Sequence, residues 1–136
     1  MSKILAIDFG LKRLGIAISD EQENHVFGRP TVMVKQWRDA VPIVLDLCQD
    51  EGVGEIVVGW PISLSGQENR ISRDLKQFVD IISNKTSIAV KTFDERLTSR
   101  LAQRQLNDMP HRKKKGERDC LAAQIILQDY IDSKRK

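Results

Sequence analysis

Three carboxylates stand where they could do chemistry together. Asp8 closes the short apolar run Lys3 to Ile7 (KILAI), and Asp94-Glu95 follows the run Ile88 to Phe93. Asp119 lies at helical spacing with Ala122, Ala123, Ile126 and Tyr130, so it falls on the stripe that should face a core. An ionised carboxylate on such a stripe is costly unless it is paired or bound to a cation. Asp8, Glu95 and Asp119, converging from two strand ends and a helix, would make a hard oxygen-ligand set suited to Mg²⁺ or Mn²⁺. Such a site supports phosphodiester hydrolysis by two metals, one ion activating the attacking water and the other stabilising the leaving oxygen. Each acid also has a plainer reading: Asp8 as a turn residue, Glu95 as the partner of Arg96, Asp119 as an acid favourable to a helix dipole. Their joint placement at one end of one sheet, beside basic runs, favours the metal centre.

The cations point the same way. The chain carries a net charge of only +3, but the basic residues are uneven. Lys12 and Arg13 occupy a hairpin tip beside Asp8, Arg96 follows Glu95, and Arg112, Lys113, Lys114 and Lys115 precede the Asp119 helix. A basic run is usually a solvated surface, and an acidic centre nearby turns the balance towards a nucleic-acid groove. Thr98 and Ser99 suit helix capping, and Trp60 suits packing more than base stacking. His25 and His111 have no partner at ligand or triad spacing, and Cys48 and Cys120 fit buried free thiols better than a disulfide or zinc site.

The elements that must position these groups follow from periodicity. Lys3 to Ile7 and Leu14 to Ser19 read as two strands of a hairpin, and Val32 to Val34, after the Gly28-Arg29-Pro30 break, reads as a third. Val41, Val44, Leu45 and Cys48 then repeat at helical spacing, with Asp39 as N-cap, Pro42 in the first turn, and Gly52 and Gly54 ending the helix. Glu55 to Gly59 is a buried strand, and Ile71, Leu75, Phe78, Val79 and Ile82 mark the next helix. Ile88 to Phe93 is the last strand; Leu97, Leu101 and Leu106 mark a helix before Pro110, and Ala122 to Tyr130 a final one. This order predicts a single α/β domain over residues 1–136: a mixed five-stranded sheet, three strands antiparallel and two parallel, with helices on both faces. The N-terminus has no signal-peptide pattern, and no apolar stretch reaches the ~20 residues of a membrane span, so a cytoplasmic protein is expected.

Four segments carry a family resemblance: DFGLKRLGIAISD (Asp8 to Asp20), IVVGWPISLSG (Ile56 to Gly66), DERLTS (Asp94 to Ser99) and DCLAAQIILQDYID (Asp119 to Asp132). Together they resemble the YqgF/RuvX family, which is RuvC-like and belongs to the RNase H-like superfamily. Its members are described as Holliday junction resolvases and as the nuclease that matures the 5′ end of pre-16S rRNA. The resemblance implies an RNase H-like fold, divalent-metal-dependent nuclease activity, and Asp8, Glu95 and Asp119 in the acidic catalytic positions. It implies structured RNA such as pre-rRNA as substrate, with branched DNA as the alternative. The family tends to have Leu-Pro after the glycine matching Gly59, then Asn and Asp; this chain has Trp60-Pro61, Ser63 and Ser65.

Two other classes are disfavoured. Phosphotransferases of the actin and sugar-kinase type clamp a nucleotide between duplicated domains, for which 136 residues are too few. A non-catalytic binding module would gain nothing from three acids at the centre of its groove. A resolvase that cuts two strands symmetrically would be a homodimer, whereas RNA trimming needs only a monomer.

Overall fold

The computed structural model describes residues 2–59, 70–93 and 115–134, with side chains described for 2–59, 71–93 and 121–134. Its centre is one five-stranded sheet in the order β3-β2-β1-β4-β5. The strands are β1 (Lys3–Asp8), β2 (Arg13–Ser19), β3 (Val26–Met33), β4 (Val53–Gly59) and β5 (Ala89–Phe93). The β1-β2-β3 meander is antiparallel, and β4 and β5 run parallel to β1. A mixed RNase H-like sheet of three antiparallel and two parallel strands is therefore present.

The central strands are apolar on both faces because helices cover both faces. Leu5 and Ile7 of β1 pack with Ile16 and Ile18 of β2 into the layer under α1 (Ala40–Glu51) and α2 (Arg70–Lys85). Ile4 and Ala6 of the same strand, with Ala17 and Val57, face α3 (Lys115–Lys134) instead. Two-residue alternation along β1 thus feeds two separate cores. The α2 stripe of Leu75, Phe78 and Ile82 is fully buried, as its helical spacing requires.

Several local expectations need correction or refinement. The third strand is not confined to Val32 to Val34: it begins at Val26 and runs through Gly28-Arg29-Pro30. Proline, which cannot donate to a ladder, is tolerated because β3 is the edge of the sheet, and the register slips between Leu14 and Ile16 opposite it. Asp39 does stand at the N-cap of α1, but its backbone is already helical and its side chain makes no capping hydrogen bond, because it is also the last residue of a 3₁₀ turn at Trp37–Asp39 that feeds directly into α1. Gly52 alone ends α1, in the left-handed conformation (φ 71°) with its N–H donating to the Cys48 carbonyl, and Gly54 lies within β4. The final helix is longer than Ala122 to Tyr130, with Lys115 and Gly116 in its first turn. The helix expected around Leu97 to Leu106 lies outside the described residues.

Cys48 is a buried free thiol, and desolvation pushes it up to about 11, which leaves it protonated and inert near neutral pH. The side chain of Cys120 lies outside the described ones.

Candidate active site

Asp8 is the last residue of β1 and is half-buried. By alternation it falls on the Ile4 and Ala6 side, towards α3, while its neighbour Phe9 turns to the opposite core. Phe9 is 2% exposed and meets two rings there, Trp37 at 6.0 Å and Phe78 at 5.2 Å between centroids. Trp37 and Phe78 also meet each other edge to face. Burying such a side chain is worth about 2–3 kcal/mol, so this cluster fixes the backbone on which Asp8 stands. The next residue, Gly10, has no room for a side chain, since a Cβ there would overlap the backbone carbonyl oxygen of Arg13. The Asp-Phe-Gly triplet is thus a directed carboxylate, an anchor and a tight return.

The sheet register brings the end of β5, the strand that precedes the other acidic segment in the chain, to the same edge. Asp8 is paired with Gly59 of β4, and Gly59 with Phe93 of β5, so the three parallel strands end level with one another. Asp94 and Glu95 follow Phe93 immediately in the chain; their own placement lies outside the described residues. Carboxyl ends of parallel strands are the usual place for a working site in an open α/β sheet.

Helix α3 carries the third candidate, Asp119. Its C-terminal turn is held at the opposite edge, where the Lys134 ammonium donates to Glu23 at 3.1 Å and to Glu55 at 3.4 Å. From Lys134 back to Asp119 the helix covers ~22 Å at 1.5 Å per residue. β1 from Lys3 to Asp8 covers only ~17 Å at 3.3 Å per residue. The helix is therefore long enough to span the length of β1, and by helical spacing position 119 continues the buried row of Ala123, Ile126 and Tyr130. Ala123 of α3 packs with Ala6 of β1 and Ala17 of β2, small residues that let helix and sheet approach closely at this end. The side chain of Asp119 is not among the described ones. Among the described residues no three His, Cys, Asp or Glu side chains form a metal-binding group, because two of the three expected ligands lie outside that set. What is described fits a hard cation: a carboxylate donor, half-buried, at a strand edge.

Of the expected cations, Lys12 is exposed and Arg13 half-buried. The hairpin tip is tied to the chain after β3, where the Val34 N–H donates to the Lys12 carbonyl at 2.9 Å. Arg13 is the first residue of β2, opposite Met33. Lys115 is a helical residue of known backbone only, and Arg96, Arg112, Lys113 and Lys114 lie outside the described residues, as do Thr98, Ser99, Trp60 and His111. His25 sits in the far β2–β3 turn, its ring 6.4 Å from Phe27, away from Asp8.

Sequence reasoning missed two features. One is the Phe9-Trp37-Phe78 anchor, for which the signal was the aromatic residue directly after Asp8. The other is a polar clasp at the opposite edge. There the Tyr130 hydroxyl donates to Glu55, Lys91 pairs with Glu55 at 3.0 Å, and Lys134 bridges Glu55 and Glu23. Burial works to raise the Glu55 carboxyl, but the hydrogen bonds from Tyr130 and Lys91 and the charges of Lys134 and Lys91 outweigh it and hold it below its usual range.

Comparison with known proteins adds to this geometry. A protein of Chloroflexus aurantiacus named "Putative pre-16S rRNA nuclease" is 37% identical, over 97% of this chain and 88% of its own length. One of the same name from Dictyoglomus thermophilum is 39% identical, over 96% of each chain. Among solved structures, Thermus thermophilus RuvC in complex with a Holliday junction superposes with TM-score 0.63 at 12% identity, covering 99% of this chain and 96% of that one. The yeast mitochondrial Holliday junction resolvase gives 0.61 at 10% identity, covering 96% of this chain and 78% of that one. Likenesses at such low identity establish the RNase H-like fold. The family profile described as RuvX, Holliday junction resolvase, matches residues 2–133, and the chain belongs to the RuvX family.

Proposed function

We propose that this chain is a divalent-metal-dependent nuclease that hydrolyses phosphodiester bonds in structured RNA, in the 5′ maturation of pre-16S rRNA. The observation that carries the reading is the position of Asp8. It is a half-buried carboxylate at the end of the central strand, level with the ends of β4 and β5. The relatives' shared name supplies the substrate class. Asp8, Glu95 and Asp119 would hold the metal, Mg²⁺ or Mn²⁺, since a donor set of carboxylate oxygens selects hard cations. When bound, the metal supplies Lewis-acid polarisation of the phosphodiester and activation of the attacking water. The chain's own part is to aim the carboxylates from rigid strand and helix ends and to bring phosphates to them. Lys12 and Arg13, with Arg96 and the run Arg112 to Lys115, would hold the sugar-phosphate backbone by charge.

One domain over residues 1–136 agrees with a single sheet shared by every described element. Among the described residues no helix is long and apolar enough to cross a membrane, and an rRNA-processing role places the work in the cytoplasm. A monomer suffices for RNA trimming. The second reading, resolution of four-way DNA junctions by a homodimer, rests on the description of the family profile. Incubating pure protein and Mg²⁺ or Mn²⁺ with a pre-16S leader RNA and with a four-way junction, wild type beside Asp8→Asn, separates the two. Cleavage of neither substrate would end the nuclease reading, and equal cleavage by both proteins would remove Asp8 from the metal site.

A further inference from the structure

We infer that Lys35 and Arg38, continuing from Lys12, form a ridge that binds the phosphate backbone of the RNA substrate on the α1 and α2 side of the Asp8 edge. The inference rests on the nuclease reading and adds a second wall to its binding surface, one carried by the connection between β3 and α1.

Four observations place the ridge. The Val34 N–H bond to the Lys12 carbonyl docks the connection against the hairpin tip, so Lys35 follows directly beside Lys12, and both are exposed. Trp37 is buried on Phe9, the residue after Asp8, so this segment is anchored to the same aromatic cluster that fixes the candidate carboxylate. The Arg38 guanidinium lies 4.7 Å over the Trp37 ring, and its Nη2 donates to Gln77 of α2 at 3.0 Å. An exposed arginine is thus held in one orientation by a stacked ring and a neutral hydrogen bond, with its other nitrogens left for an anion. Finally, none of Lys12, Lys35 and Arg38 forms a salt bridge among the described residues, whereas the far-edge cations Lys3, Lys91 and Lys134 all do. The nearby acids are Asp39, which is exposed, and Asp74 of α2, which is half-buried and has an interaction of its own. Cations that only solvate a surface have no need of such a mount, whereas a preorganised guanidinium loses less freedom on meeting a phosphate.

The test is equilibrium binding of a pre-16S leader RNA by the full chain across 50–200 mM salt without divalent ions, with cleavage assayed separately in Mg²⁺. The double variant Lys35→Ala, Arg38→Gln should weaken binding about tenfold and flatten the slope of log K against log salt by about 0.7 for each lost contact. Lys35→Ala alone, which disturbs no packing, should show its own share of both effects. Lys85→Ala removes the same charge from the far end of α2 and should change neither. Wild type that binds and cleaves, with an unchanged affinity and slope in the Lys35 and Arg38 variants, would overturn the ridge and leave the nuclease reading standing. An equal loss in Lys85→Ala would reduce the effect to net charge and overturn it too. A loss confined to four-way junction DNA would overturn RNA as the ligand. Wild type that neither binds nor cleaves would remove the nuclease reading and the ridge with it.

Discussion

Asp8 and Asp129 are two half-buried carboxylates on the same face of the sheet, and they ask for opposite treatment. Asp8→Asn keeps the shape of the side chain and removes the charge that a hard cation needs. Cleavage should fall at least ~100-fold with the thermal transition unmoved, as when a group that anchors a metal is lost. Full activity at saturating Mg²⁺ would show that Asp8 is no ligand. Asp129, on α3, has one carboxylate oxygen buried with no hydrogen-bond partner among the described residues. Desolvation, then the charge of Asp132, raises its carboxyl above the ordinary 3.8. A raised acid binds its proton more tightly in the folded state, so its ionisation costs stability once the pH rises above that ordinary value. Asp129→Asn should therefore raise the melting temperature by a few degrees at pH 7, for a gain of about 1 kcal/mol, and should give nothing at pH 3. A gain of equal size at both pH values would trace to packing and not to charge.

Elements decide how well these residues can be read in advance. The apolar runs of β1, β2 and β4 and the stripe of α2 were legible because burial on a fixed period leaves a fixed pattern. Asp8 stood out for the converse reason, as an acid at the end of an otherwise apolar strand, which is where β1 places it. What failed was set by tertiary position. Nothing in Gly28-Arg29-Pro30 says that the strand is an edge, and only an edge forgives the proline. Asp39 does stand at the N-cap of α1, but the 3₁₀ turn at the buried Trp37 comes first, and no side-chain capping bond forms. The aromatic cluster joins the end of β1, the turn before α1 and the middle of α2, a contact no local window contains. Its weight is testable. Phe9→Ala should cost about 3–5 kcal/mol, and Phe9→Leu, which keeps most of the volume, should cost much less. If the cluster aims Asp8, Phe9→Leu should also lower kcat at a temperature where the variant is fully folded. A loss of stability with kcat intact would make Phe9 a packing residue alone.

At the scale of the molecule, the two edges of the sheet divide the labour. The Asp8 edge gathers the candidate carboxylate, the tight Gly10 return and Lys12, Lys35 and Arg38, which form no salt bridge among the described residues, features that suit a charged ligand and do little for stability by themselves. The opposite edge is closed by the Glu55 clasp, which joins α3, β4, β5 and the β2–β3 turn through Tyr130, Lys91, Lys134 and Glu23. Isolated surface pairs contribute little, but here one partly buried carboxylate serves several donors, and charge-assisted hydrogen bonds of that kind are the stronger ones. The folded carboxyl of Glu55 titrates below its ordinary 4.5. A depressed acid adds stability that is fully present above that ordinary value and is lost as the pH falls through the folded one. Wild type should thus lose stability on acidification below about pH 4.5, through several carboxylates of which Glu55 is one. Glu55→Gln isolates its share. The amide can still accept from Tyr130 but offers no charge to Lys91 and Lys134, so at pH 7 the variant should be less stable by about 1 kcal/mol. Its deficit should shrink towards zero near pH 3, where the wild-type carboxylate is losing its own charge. Urea unfolding of both proteins at pH 7, 5 and 3 measures this directly, and high salt should narrow the gap at pH 7 by screening the lysines. A deficit that stays constant from pH 7 to pH 3 would assign the clasp to shape and hydrogen bonding, and would leave its charges without a part in holding α3 to the sheet.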